Sequence, residues 1–108
     1  MMNIITNNRL MCTVIAAALE RVIDPELGLN VIDLGLIYQV DVDEENKVIY
    51  VSMTLTTRFC PMGGSLTSSV SEMIKKTVPD YEVDLQLVFE PSWNYERISE
   101  EGKNILNR

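Results

Sequence analysis

A chain of 108 residues and 12.3 kDa has room for one hydrophobic core, so residues 1–108 are expected to form a single domain. Hydrophobic residues at 46% and charged ones at 23% match a folded globule and exclude a disordered or collagenous chain. The net charge of −7 opposes nucleic-acid binding, and the absence of histidine removes Ser-His-Asp, Cys-His and His-ligated zinc chemistry. Two cysteines, Cys12 and Cys60, are too few for a secreted disulfide scaffold or a four-Cys metal site. No signal-peptide pattern opens the chain, and charges interrupt every apolar stretch well short of a membrane span. A cytoplasmic protein without a membrane partner is the expectation.

In chain order, Met11, Val14, Ile15, Ala18, Leu19 and Val22 recur at helical spacing and predict a first helix with that face inward, with Asn7 or Asn8 as N-cap. Pro25 should end it by about Ile23. Leu36, Tyr38, Val40 and Val42 then alternate with Ile37, Gln39 and Asp41 as a strand. After the acidic turn Asp43-Glu44-Glu45-Asn46, Ile49, Val51, Met53 and Leu55 alternate as a second strand, completing a hairpin. Leu66, Val70, Met73 and Ile74 return to helical spacing before Pro79, and Val83, Leu85, Leu87 and Phe89 form a third strand closed by Pro91. A short tail helix follows, with Ser99 as its N-cap and Ile98, Ile105 and Leu106 as an apolar stripe. The order α-β-β-α-β(-α) predicts an α+β two-layer sandwich with both main helices on one face of a small mixed sheet.

The stretch from Thr54 to Gly64 joins a strand end to a helix start, where unpaired backbone N–H groups face outward. With Pro61 at the first helical position, Cys60 is the N-cap, and the helix dipole with Arg58 favours its thiolate. Gly63 and Gly64 then suit the close approach of a ligand or another backbone. In the alternative reading the helix begins at Ser65, the glycines form an ordinary turn and Cys60 is a small buried hydrophobe. Asp24-Pro25-Glu26 either presents an oxygen ligand or polar handle beside the thiolate, or is structural, with Asp24 as an N-cap or Asx-turn residue and Pro25 at the first position of a short turn. Cys12 reads as packing, and Trp93 as a lid on the core or an exposed interface anchor.

Four segments carry a family resemblance: Asp24-Pro25-Glu26-Leu27-Gly28, Asp33-Leu34-Gly35-Leu36-Ile37-Tyr38, Met53 through Gly63, and Phe89-Glu90-Pro91-Ser92-Trp93. In this order they resemble the SufT/PaaD-type family of iron-sulfur cluster assembly factors, over about Leu10 to Leu106. One departure is Ser92, where family members often carry a second proline. The resemblance implies an iron-sulfur-assembly-domain-like fold, a role in maturing or delivering clusters, and a functional cysteine at Cys60. On that reading Asp24, Glu26, Thr57, Arg58, Pro61, Gly63 and Gly64 support Cys60, while Met62 and Trp93 serve docking.

A stable cluster takes about four protein ligands, more than one chain with two cysteines offers. The expected cofactor is therefore iron or an iron-sulfur cluster held transiently, and the expected partners are scaffold or carrier proteins and client apoproteins; a homodimer is compatible with this. Competing readings are a thiol enzyme with Cys60 as nucleophile, which lacks a histidine base, and a non-catalytic scaffold subunit. The order of elements also resembles KH-like nucleic-acid folds, which the net charge of −7 opposes.

Overall fold

The computed structural model describes residues 4–56 and 63–106. The elements run β1 (Ile5–Thr6), α1 (Arg9–Leu19), β2 (Ile37–Asp43), β3 (Val48–Met53), α2 (Gly63–Thr77), β4 (Glu82–Leu87), a 3-10 turn (Tyr95–Arg97) and α3 (Glu100–Leu106). The four strands lie in the order β1-β2-β3-β4. β2 and β3 pair antiparallel, while β1 with β2 and β3 with β4 pair parallel, so the sheet is mixed as expected.

Asn8 is the N-cap of α1, its side chain accepting from the Met11 N–H at 3.0 Å. Asn7 has a different task. Its amide donates to the Val42 carbonyl at 3.0 Å and accepts from the Val42 N–H at 2.8 Å, extending the parallel pairing that β1 begins. The buried face of α1 is Cys12, Ile15, Ala16 and Leu19, one step round from the face expected through Met11, Val14 and Ala18. An uncharged helix reads equally well on several stripes, and tertiary packing chose the one containing Cys12. Burial pushes the Cys12 thiol above its ordinary pKa, partly opposed by a hydrogen bond from Thr6.

The hairpin forms with Glu44, Glu45, Asn46 and Lys47 exposed at its tip. Asp43 accepts from the Asn46 side chain at 2.9 Å and from its backbone N–H at 3.0 Å, which holds the carboxyl below its usual range. In β2 simple alternation fails. The register slips between Ile37 and Gln39, leaving Tyr38 as the extra residue of a bulge. Ile37 therefore pairs with Met53 and joins Val40 and Val42 in the core, and Tyr38 leaves the line of side chains the sequence assigned it.

From α2, Leu66, Val70 and Ile74 are buried at i, i+4 and i+8 against Ile49, Val51 and Met53 of β3 and the inner face of α1 in one cluster. Each of those aliphatic side chains is worth about 1.5–3 kcal/mol on burial. In the tail, Ser99 Oγ accepts from the Gly102 N–H at 3.0 Å, as an N-cap does. Gly102 is buried, with space for its Cβ already filled by Leu29 and Ile98. Of the expected tail stripe only Ile98 reaches the core; Ile105 and Leu106 are exposed because α3 docks through Gly102.

Cys12, at 3% exposure, should resist alkylation in the native chain and react only on unfolding. Iodoacetamide labelling with and without urea, read by peptide mass spectrometry, tests this; native labelling of Cys12 at the unfolded rate would contradict the packing described.

Candidate functional site

Because β3 and β4 are parallel, both deliver their carboxyl ends, Met53 and Leu87, to the same end of the sheet. Ligand sites of open α/β sheets gather at such ends. From there the chain passes through Thr54, Leu55 and Thr56 towards α2. The Thr54 N–H donates to Leu36 O at 2.8 Å and the Val88 N–H to Met53 O at 2.8 Å, so the approaches to β2, the exit of β3 and the exit of β4 are laced together. Thr54 is fully buried, and its Oγ1 has no hydrogen-bond partner among the described residues. An unpaired buried hydroxyl costs about 1–3 kcal/mol.

The residues after β4 cross back over this end as a strap. A cis bond joins Glu90 to Pro91. Tyr38 Oη donates to Pro91 O at 2.9 Å, and Trp93 Nε1 donates to Leu34 O at 2.6 Å. Trp93 is half-buried against the core, with its ring centroid 5.4 Å from that of Tyr95. The Arg97 guanidinium stacks 4.0 Å above the Tyr38 ring. The Ser99 N–H donates to Asp33 O at 2.7 Å, and Ser99 Oγ donates to Asp33 Oδ1 at 2.9 Å. Asp33 is itself set by Asn30, whose Oδ1 accepts the Asp33 N–H at 2.8 Å and whose Nδ2 donates to Asp33 Oδ2 at 2.8 Å.

Asp24 lies in the loop after α1 and is 1% exposed. Its Oδ1 accepts from the Glu26 N–H at 2.7 Å and lies 3.4 Å from the Leu27 N, while its carbonyl accepts the Gly28 N–H at 2.8 Å. That is the Asx turn of the structural reading, closed by Gly28 at φ 73°. Glu26 is exposed beside it. The helix α2 includes Gly63 and Gly64, which excludes the alternative start at Ser65. A Cβ on Gly64 would meet nothing within 4 Å, so no other part of the described chain requires a glycine there. Thr57, Arg58, Cys60, Pro61 and Met62 lie outside the described residues.

Of the four sequence motifs, the structure joins the second, the beginning of the third and the fourth at one sheet end. Sequence reasoning missed Arg97, Ser99 as a partner of Asp33, and the buried hydroxyl of Thr54. Arg97 had no signal at all, since its contacts are made by tertiary proximity; Gly35 and the capping serine were the visible traces of the contact.

Fold and site together define a small two-layer α+β domain whose helix α2 starts beside the carboxyl ends of two parallel strands. A family model described as "Iron-sulfur cluster assembly protein" matches residues 13–85, and the chain belongs to that family. It is 34% identical over 92 residues to the "Fe-S protein maturation auxiliary factor YitW" of Bacillus subtilis, covering 85% of this chain and 89% of that protein. It is 38% identical over 85 residues to the "Fe-S protein maturation auxiliary factor SufT" of Staphylococcus aureus, covering 79% of this chain and 96% of that one. The crystal structure of a domain of unknown function, DUF59, from Bacillus anthracis superposes with a TM-score of 0.85 at 38% identity, covering 92% of this chain and 93% of that chain. The expected fold and family are thus both found. Among the described residues no helix is long and apolar enough to cross a membrane.

Gly28 and Gly35 both have positive φ, 73° and 72°, but only Gly35 abuts backbone, where a Cβ would stand 2.5 Å from Arg97 O. Gly28→Ala should cost about 1–2 kcal/mol from left-handed strain, and Gly35→Ala about 2–5 kcal/mol because overpacking is added. Urea unfolding of the two variants measures the difference, and equal costs would remove the close approach of the strap.

Proposed function

We propose that this chain is an accessory factor in iron-sulfur cluster assembly, which accepts iron or a cluster from a scaffold or carrier protein and passes it to client apoproteins through a transient thiolate at Cys60. The observation that carries this reading is family membership, with relatives named as Fe-S protein maturation auxiliary factors. The physical argument is one of ligand number. One chain has two cysteines and no histidine, and Cys12 is enclosed in the core. Cys60 is then the thiol left for cargo, and a single thiolate holds a cluster only while another protein supplies the remaining ligands. Such a bond is made and given up by ligand exchange, which suits transfer rather than storage.

Cys60 stands three residues before Gly63, the first described residue of α2. Positive partial charge at a helix start favours a thiolate, and Arg58, two residues earlier in the sequence, adds to it. In this proposal Thr57 and Pro61 support Cys60 ahead of α2, Gly63 and Gly64 keep its first described turn open to cargo, Glu26 is the candidate weak oxygen ligand or local base, and Asp24 holds Glu26 in place through the Asx turn. Met62 and the exposed part of Trp93 are the apolar groups offered to a partner. The chain acts as a transfer factor rather than as an enzyme, and works in the cytoplasm.

Cys60→Ser replaces sulfur with oxygen, leaving the fold intact while weakening soft-metal ligation. In cells that depend on this protein under iron limitation, the variant should accumulate normally and melt within about 2 °C of wild type, yet client iron-sulfur enzyme activity should fall to that of the deletion. Full client activity with Cys60→Ser would make the domain a non-catalytic scaffold and end the thiolate role.

A further inference from the structure

Between Arg9 and Glu20 the helix α1 has no charged residue. Its inner face is filled by Cys12, Ile15, Ala16 and Leu19. The opposite face carries Leu10, Val14 and Ala17 at i, i+4 and i+7, all exposed, with Leu10 at 78% and Val14 at 42%; exposed Thr13 borders them, its hydroxyl donating to Arg9 O at 2.9 Å so that its methyl is left to the face. A surface helix ordinarily turns charged and polar side chains to water, and a contiguous apolar stripe marks an interaction surface. We infer that this stripe joins two copies of the chain, packed α1 against α1 and antiparallel about a twofold axis.

The occupant follows from the stripe's self-complementarity. Its bulky end is Leu10 at the helix start, its small end is Ala17 near the helix end, and Val14 lies about midway. Antiparallel pairing sets each Leu10 over the other copy's Ala17 and brings the two Val14 side chains together on the axis. In a twofold interface the same patch must satisfy itself in this way. The flanking charges select the same orientation. Arg9 and Glu20 are eleven positions apart, about 20° round the helix at 100° per residue, so they share one flank. Antiparallel packing places each Arg9 beside the other copy's Glu20, twice over. A parallel pair would set Arg9 at the end where the other copy carries its own Arg9.

A chain of net charge −7 repels its own copies, and the two Arg9–Glu20 pairs offset part of that repulsion. One helix pair buries less than the ~1,200 Å² of the standard interface range, so the dimer is weak and concentration-dependent.

Sedimentation velocity of the purified full chain, from about 5 to 500 µM, tests this. The expected result is a mass rising towards twice the 12.3 kDa of one chain. Val14→Glu sets two carboxylates on the axis and should give a monomer throughout, with far-UV circular dichroism and dilute thermal unfolding unchanged. Arg9→Glu and Glu20→Arg should each raise the dimer dissociation constant ~10-fold, and the two together should bring it back to within ~3-fold of wild type. Glu20 caps α1 through its backbone N–H, so its charge can be reversed without removing the cap. A wild-type monomer across the range, a dimer that survives Val14→Glu, or a double swap that fails to rescue would each overturn the inference.

Discussion

Distant parts of this chain meet closely at Gly35, where the missing Cβ leaves room for the Arg97 carbonyl. Any side chain at position 35 would meet that backbone at 2.5 Å, and the positive φ makes glycine the natural occupant twice over. Around this contact the strap is pinned at successive points: Pro91 by Tyr38, Trp93 by Leu34, Arg97 by the Tyr38 ring, and Ser99 by Asp33. The bonds span 53 to 66 residues of sequence. Long-range contacts of this kind rigidify one end of the domain and leave the hairpin tip at the other end to solvent.

In the proposed function, that rigid end is the frame for a transfer site. A thiolate that must accept and release a cluster needs a fixed approach direction but few permanent ligands of its own. The parallel pairing of β3 with β4 brings two strand exits and the approach to β2 together, and the next described element after β3 is α2. The frame is ordered by hydrogen bonds on three sides, and the Asx turn of Asp24 fixes the loop that carries Glu26. In the proposed function, transfer depends on ligand exchange with partners, the chemistry open to a chain with two cysteines of which Cys12 is buried.

Much of this was readable from residue patterns because the signals were local. Alternation located β3 and β4, though it ran on to Leu55 and Phe89, two residues past their ends at Met53 and Leu87; the Leu66-Val70-Ile74 spacing located α2, and the pair Asn7-Asn8 and Ser99 announced two helix starts. What escaped notice depends on distant partners. β1 is two residues long and has no periodicity of its own; it exists because β2 offers it an edge. The inner face of α1 was misplaced by one stripe because its composition is apolar on nearly every side, a property that also leaves Leu10 and Val14 outside. The bulge at Tyr38 was invisible because the strand still alternates on paper, and only pairing with β3 reveals the extra residue. Asp24 showed both a turn and a ligand in sequence; burial and the Glu26 N–H decide for the turn.

The proposed role of Cys60 as a transient ligand is tested most directly by anaerobic titration of the purified chain with ferrous iron and sulfide, followed by Mössbauer and absorption spectroscopy. Less than one cluster per chain should form, readily lost to a chelator, with the thiolate-to-iron absorption absent in Cys60→Ser and unchanged in Cys12→Ala. A chelator-resistant cluster at full occupancy on the monomer, or the same absorption in Cys60→Ser as in wild type, would contradict it.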